Sequence, residues 1–496
     1  MSIRRNITRL TALLAAFMVQ SVPVDAQVFE DVTFSSGAAH FDPFSGQTLF
    51  GTGMAWGDYD GDGDQDLYAT HWATNFSFPS NALFANQGDG TFFNVAPEVG
   101  VDEPGNSVDA AWADYDNDGD LDLYVADFFD QDRLFDNDGG FFALGAASAT
   151  VDQVRLGSST SVSWGDFDGD GWSDLYIGKY YHANQLLRNN RDGTFVIAAD
   201  LGLNDKRDTG DAAWIDYDFD GDLDLYLVNR EQENALYRND GGAFVEVACA
   251  ISAASREIGQ RQAWGDYDND GDLDLYLANV GANQLYRNDG ADTFVEVGAA
   301  AGVRLDGLSW FAADAAWADY DGDGWLDLYV AAGGDRDPQP DVLLANNGDG
   351  TFRESAAEVG LPGDFTGHAA AAWGDFDGDG APDLYVADGF GPFGGSNNPL
   401  YRNGLGGTYI SIKVVGKGGD NGGSAADAFG AQVALLDEAT FAIAGYRQVL
   451  SGGNSTEINF GAPAGPYQVF VFFPNNPDPV VFEGVEAGTQ ITVVEP

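Results

Sequence analysis

Seven times along this 496-residue chain, four aspartates fall within nine residues in the pattern Asp-x-Asp-x-Asp-Gly-x-x-Asp. The carboxylates are Asp58, Asp60, Asp62 and Asp66; Asp114, Asp116, Asp118 and Asp122; Asp166, Asp168, Asp170 and Asp174; Asp216, Asp218, Asp220 and Asp224. The series continues with Asp266, Asp268, Asp270 and Asp274; Asp319, Asp321, Asp323 and Asp327; Asp375, Asp377, Asp379 and Asp383. Carboxylates this close repel one another unless a cation sits among them. Oxygen-only ligation, without His or Cys, selects a hard ion. Six to eight oxygens in a flexible loop suit Ca²⁺ better than strictly octahedral Mg²⁺. Positions 1, 3 and 5 turn side chains inward, and glycine at position 6 permits the sharp turn. The carbonyl at position 7 and the Asp at position 9 complete the set. The expectation is up to seven structural Ca²⁺ ions, held by these 28 side chains.

The first half of this loop is shared with EF-hands, which need Glu at loop position 12. That position holds Ala69, Val125, Ile177, Leu227, Leu277, Val330 and Val386, all apolar and all in strand-like runs. EF-hands are therefore excluded.

The elements that must position these loops recur with them. Each copy opens on a tryptophan (Trp56, Trp112, Trp164, Trp214, Trp264, Trp317 and Trp373), at spacings of 56, 52, 50, 50, 53 and 56 residues. A first phrase such as WGDYDGDGDQDLY (56–68) is followed by a second such as NALFANQGDGTF (81–92). In the second copy, strands are predicted at 110–114, 123–126 and from 133, with a turn at 137–140 leading into a fourth. Four short strands per copy, joined by Gly and Asn turns, make one propeller blade. A solenoid is the alternative, but its repeats are usually shorter and often helical. Copies one to six end in a phrase such as TFFNVA (91–96), which the seventh lacks. Val28 to Thr33 supplies the missing strand, with Phe29 and Val32 matching Phe92 and Val95. The expected fold is all-β, a seven-bladed β-propeller over residues 27–407.

Composition narrows the setting. Lys and Arg number 22 against 79 Asp and Glu, a net charge of −57. That excludes a basic footprint for nucleic acid or anionic lipid. At 44% hydrophobic and 13% aromatic, the chain can still bury cores. Only 15 of the acids are Glu and 64 are Asp, which favours turns and metal loops over helices. Residues 1–26 read as a secretory signal: Arg4, Arg5 and Arg9, an apolar run from Leu10 to Val19, and Val24-Asp25-Ala26 as cleavage site. The alternative is a membrane anchor or buried helix, but the run is too short to span. A secreted, periplasmic or cell-envelope protein follows, with no membrane span after signal removal. Cys249 is the only cysteine, so no intramolecular disulfide can form.

The copies resemble the integrin-type FG-GAP or VCBS repeats. That resemblance implies calcium in the hairpin between the first two strands of a blade, with ligands at loop positions 1, 3, 5, 7 and 9. The chain departs from integrins in carrying complete loops in all seven copies. Beyond Thr408 the loops stop and alternating runs begin, at 409–415, 430–436, 467–473 and 490–495, which suggests a small β-sandwich-like domain over residues 408–496. It resembles the ASPIC/UnbV domain that follows such repeats in the cartilage acidic protein family. The residues carrying that likeness are Phe429-Gly430-Ala431-Gln432-Val433, Asn459-Phe460-Gly461 and Val494-Glu495-Pro496. Phe473-Pro474-Asn475-Asn476 stands where that family has Trp-Pro-Ser-Gly.

Loops between second and third strands should open on the face opposite the Asp loops. They carry Thr70-His71-Trp72, Phe128-Phe129-Asp130, Lys179-Tyr180-Tyr181-His182, Arg230-Glu231-Gln232 and Phe390-Gly391-Pro392-Phe393. Such a rim suits a sugar or peptide ligand, although exposed aromatics also pack locally. His40, His71, His182 and His368 are too scattered for a metal cluster. No nucleophile elbow, P-loop, dinucleotide fingerprint or zinc spacing is present. The sequence thus reads as a calcium-binding binding or adhesion module for an extracellular glycan or protein. The alternative is a calcium-dependent carbohydrate-active enzyme, of polysaccharide lyase or sugar dehydratase type, for which Lys179, Tyr180, Tyr181, His182 and Arg230 are the local hint. A scaffold for an envelope assembly is a third reading.

Overall fold

The computed structural model describes residues 28–39, 53–72, 80–145, 158–290, 293–306, 312–333, 339–361, 367–388, 398–405, 409–418, 424–451, 456–462, 465–474, 476 and 478–496. The signal expected at 1–26 lies outside these residues. Among the described residues the chain is all-β, with helices of only three or four residues, and no helix is long and apolar enough to cross a membrane.

Seven four-stranded antiparallel sheets follow one another. Their first strands are Met54–Gly57, Ser107–Ala113, Ser158–Gly165, Thr209–Ile215, Ile258–Gly265, Ala312–Ala318 and His368–Gly374. Sheet 2 continues with Asp122–Asp127, Arg133–Asn137 and Phe142–Leu144. Sheets 1 to 6 are simple meanders in chain order. Sheet 7 draws on both ends of the repeat region. Asp383–Asp388 and Leu400–Asn403 follow its first strand, and Phe29–Asp31 completes it in the register Phe29↔Asn403 and Asp31↔Tyr401. Phe29 is fully buried, with its ring 5.8 Å from Tyr320 and 6.1 Å from Trp373.

The cores lie between neighbouring sheets. Ala55, Tyr68 and Leu83 of sheet 1 pack with Ala110, Trp112 and Leu123 of sheet 2 in one cluster. The repeated tryptophans also bond across: the indole N–H of Trp112 donates to Ala55 O (3.1 Å), that of Trp317 to Ala263 O (3.2 Å) and that of Trp373 to Ala316 O (3.3 Å). Sheet 7 then meets sheet 1. A Cβ on Gly374 would lie 2.8 Å from the Trp56 ring, so only glycine lets that indole approach. Asn86 Nδ2 of sheet 1 donates to Phe376 O beyond the first strand of sheet 7, at 2.7 Å. The row of sheets returns on itself.

Residues beyond Tyr409 form two more sheets around a shared core. Tyr409–Val415 pairs antiparallel with Ile458–Gly461 and parallel with Thr489–Val494. Gln432–Asp437 pairs with Ile443–Gln448 and with Tyr467–Phe472, which pairs with Val480–Val485. Ile410, Ile412, Val433, Leu435, Phe460, Val469 and Val471 belong to one buried cluster that also holds Tyr115 and Trp164 of the repeat region. These sheets are docked on the repeats.

Candidate metal centres and the opposite rim

Strand register builds each Asp loop. Gly57 faces Asp66, Ala113 faces Asp122 and Gly165 faces Asp174. Positions 1 and 9 therefore leave the ends of paired strands side by side. The glycine at position 6 has a φ between 87° and 102° in all seven loops, the left-handed region where a Cβ is strained. Its N–H donates to Oδ2 of the position 1 aspartate in every loop. The position 5 carboxylate accepts the N–H of position 7, also in every loop. In loops 2 to 5, one oxygen each of positions 1, 3 and 9 lie within 4.8 Å of one another: Asp114, Asp116 and Asp122; Asp166, Asp168 and Asp174; Asp216, Asp218 and Asp224; Asp266, Asp268 and Asp274. In loop 1 the converging set is Asp58, Asp60 and Asp62.

The position 9 aspartates carry a second role that spacing did not reveal. Each accepts the N–H of loop position 2 on one oxygen and, on the other, the N–H of an asparagine ending the third strand. The pairs are Asp66 with Asn86, Asp122 with Asn137, Asp174 with Asn189, Asp224 with Asn239, Asp274 with Asn288, Asp327 with Asn346 and Asp383 with Asn403. Each asparagine amide then donates to the position 8 carbonyl of its own loop and to the position 2 carbonyl of the preceding sheet's loop, as Asn189 does to Ser173 O and Tyr115 O. Every Asp loop is tied in this way to the next, and Asn86 joins loop 1 to loop 7.

The donor chemistry fits a hard cation. Oδ1 of Asp58, Asp116 and Asp268 is buried without a hydrogen-bond partner, and an orphaned buried carboxylate oxygen is costly unless an ion meets it. Burial, with the neighbouring aspartates adding to it, pushes the carboxyl of Asp66 up to about 8 and that of Asp122 to about 10. Burial likewise raises Asp166, Asp216, Asp319 and Asp375 to about 7. A bound dication would reverse that preference and hold these groups ionised.

The C-terminal sheets cover the loops. Gln432 Nε2 donates to Asp216 Oδ2 (2.7 Å), Gly461 N to Asp319 Oδ2 (2.9 Å) and Lys413 Nζ to Asp58 Oδ2 (3.3 Å). Asp427 accepts the N–H of Asp114 and the hydroxyl of Ser173. A Cβ on Gly461 would lie 2.0 Å from Asp319 Oδ2, so glycine is required there. Gln432 and Gly461 fall in the phrases that carry the family likeness of this region. Glu495, in the third phrase, accepts the N–H groups of Lys417 and Ser424. Beneath this cover, a cavity of about 270 Å³ is lined by Asp109, Asp211, Arg261 and Asp314 of the first strands and by Arg447 above them. Arg261 spans it, 3.4 Å from Asp109 and 3.1 Å from Asp211.

The loops between second and third strands gather an aromatic arc. Trp72 and Phe128 are half-buried, Phe129 and Tyr181 are exposed, and Arg230 lies over the Tyr180 ring. His182, Glu231 and Gln232 are exposed. Thr70, His71 and Lys179 do not reach the surface; Lys179 Nζ bonds Ser159 Oγ at 3.1 Å. His368 is buried against Asp341. Phe390 to Phe393 and His40 lie outside the described residues.

Comparison with known proteins places this pattern. The FG-GAP-like repeat model matches residues 58–125, 115–177, 166–227, 216–277, 266–330 and 319–386. Each match runs from one Asp loop into the second strand of the next copy, so six matches join seven loops. No curated protein matches the chain. Among solved structures, an Agrocybe aegerita lectin that recognises non-reducing terminal N-acetylglucosamine is 20% identical, with 64% of this chain and 82% of the lectin covered and a TM-score of 0.41. A Bacillus licheniformis rhamnogalacturonan lyase is 12% identical, with 76% and 75% covered and a TM-score of 0.42. YCF48 bound to D1 peptide is 11% identical, with 76% and 96% covered and a TM-score of 0.44. The family matches together span about two thirds of the sequence, from the first Asp loop to the last, and the chain belongs to the FG-GAP-like repeat family.

Proposed function

We propose that the seven sheets are the blades of one seven-bladed β-propeller over residues 27–407. Residues 408–496 form a β-sandwich-like domain of ASPIC/UnbV type, and residues 1–26 direct export to the periplasm, envelope or exterior. The loops hold up to seven structural Ca²⁺ ions through the 28 aspartates, and the protein is a binding or adhesion module for an extracellular glycan or protein. The observation that carries the binding reading is the division of labour between the two faces. The loop face is occupied by metal-ligating carboxylates and by the C-terminal sheets, whereas the opposite rim presents exposed Phe129 and Tyr181 beside Arg230. Of the groups that suggested an enzyme of lyase or dehydratase type, Lys179 is buried on Ser159, whereas Tyr181 and His182 are exposed at that rim. Binding to an array of glycans and extracellular proteins, with calcium and in chelator, is the test. The expected result is a ligand captured only with calcium present. Capture of nothing on the array would contradict a binding module.

A further inference from the structure

Four consecutive sheets contribute to the aromatic arc, and its rings touch in series. Trp72 lies 5.3 Å from Phe128 and 5.5 Å from Phe129, Phe128 lies 6.2 Å from Tyr180, and the Arg230 guanidinium lies 5.6 Å over Tyr180. The outer rings face solvent: Phe129 is 68% and Tyr181 70% exposed. Large apolar side chains on a surface loop lose hydrophobic free energy unless something covers them.

The backbone at this rim is strained as well. Tyr181 has φ 67° and Glu231 φ 59°. Both stand 17 residues after the tryptophan of their copy, where the fifth copy has Gly281 at φ 105°. Glycine occupies that conformation without strain, and copies three and four hold it with Tyr and Glu instead.

Arg230 is the cation of the arc. Among the described residues its side chain makes no ion pair and donates no hydrogen bond, and its Nε is buried without a partner. In a chain with 79 acids and 22 basic residues, a guanidinium left unpaired yet fixed by stacking is a preformed receptor for a carboxylate, which matches its planar fork. The acids beside it are Glu231, which is exposed, and Asp208, which accepts the N–H of Tyr181 at 2.7 Å and whose backbone carbonyl accepts the N–H of Arg230. They offer acceptors to hydroxyl groups and repel a dense polyanion. Among the described residues the rim is built of loops and offers no free strand edge to which an extended peptide could add. Flat ring faces, hydroxyl acceptors and one carboxylate receptor together match a sugar chain with spaced carboxylates.

We propose that this arc is the ligand face of the binding module inferred above, on which this assignment rests, and that its ligand is a uronate-bearing glycan. Sugar rings stack on Phe129 and Tyr181, and a carboxylate pairs with Arg230.

The test is titration of the full chain, in calcium, with aldotetraouronic acid, which carries one uronate on three xyloses, and with neutral xylotetraose. The uronate should bind about tenfold tighter or more, the scale of a charge-assisted pair. Arg230→Gln should abolish that preference. Tyr181→Gly should weaken binding of both tetramers while the melting midpoint holds or rises, because glycine relieves the strained φ. A merely structural Tyr181 would lower the midpoint instead. Equal affinity for the two tetramers, or a preference that survives Arg230→Gln, would overturn the assignment. If the array yields a ligand indifferent to both substitutions, this site is wrong and the binding reading stands. If it yields none, both fall.

Discussion

At the scale of single residues, the four aspartates of a loop are not equivalent. Positions 1, 3 and 5 offer oxygens to a cation, and positions 1 and 5 also hold the turn. Position 9 also anchors the third strand and, through its asparagine, the neighbouring sheet. Asp274 accepts from Tyr267 and Asn288 at 3.2 and 2.8 Å, so Asp274→Ala should cost about 2–4 kcal/mol even in chelator, because two backbone N–H groups are left buried and unpaired. Asp270→Ala should cost less than about 1 kcal/mol in chelator and more in calcium, and urea unfolding in both conditions separates the two. The buried carboxyls also set a pH dependence. Their folded values are raised, to about 8 for Asp66, about 10 for Asp122 and about 7 for Asp166 and Asp216, above an unfolded value near 4. The metal-free protein therefore has its full stability from these groups below about pH 4 and loses it as pH rises through about 7 to 10. Chelated protein should melt lower at pH 9 than at pH 5, and saturating calcium should narrow the gap because the ion binds the ionised form. A chelated midpoint that is flat across that range would show that these carboxylates are not buried.

At the scale of elements, the repeat made most of the fold legible. Trp at the head of each copy, the Asp loop after it and the Gly-Asn turns marked the four strands, because period and turn chemistry are local. The last strand of sheet 7 was legible for a different reason: one copy lacked a phrase that Val28 to Thr33 supplies. Deleting residues 28–33 should leave Leu400–Asn403 as an open sheet edge and produce aggregation, read by light scattering. Unchanged solubility and melting would place closure elsewhere. The Asp-to-Asn ties were hidden, because the two ends lie 14 to 20 residues apart and the asparagine amide then reaches a carbonyl of the neighbouring copy. The docking of the C-terminal sheets was hidden too. Gly461 and Gln432 lay in phrases read in the sequence only as a resemblance, and their contacts are with Asp319 and Asp216, far away in the chain. The strands Ile443–Gln448, Ile458–Gly461 and Val480–Val485 escaped because glycine and short length blur their alternation. Gly461→Ala should place a methyl against the Asp319 carboxylate and destabilise the protein by about 1–3 kcal/mol, seen as a lower melting midpoint in calcium.

At the scale of the whole molecule, charge opposes the packing of the seven sheets. A net charge of −57 strains any compact state, and the single cysteine forms no intramolecular disulfide to oppose it. Seven dications would cancel 14 of those charges where they are densest. Extracellular calcium sites bind at about 0.1–1 mM, and at about ten times the dissociation constant each adds roughly 1.4 kcal/mol. Seven independent sites would add on the order of 10 kcal/mol, comparable with the whole stability of many domains, about 5–15 kcal/mol. The loops are also joined to their neighbours by the asparagine ties. The most direct measurement is the thermal melt of the full chain in millimolar calcium and in excess chelator, with bound metal assayed in both samples. A large fall of the midpoint on chelation, far beyond the shift caused by Asp270→Ala alone, is the predicted result. An unchanged midpoint in a sample shown to be metal-free would contradict a structural role for calcium.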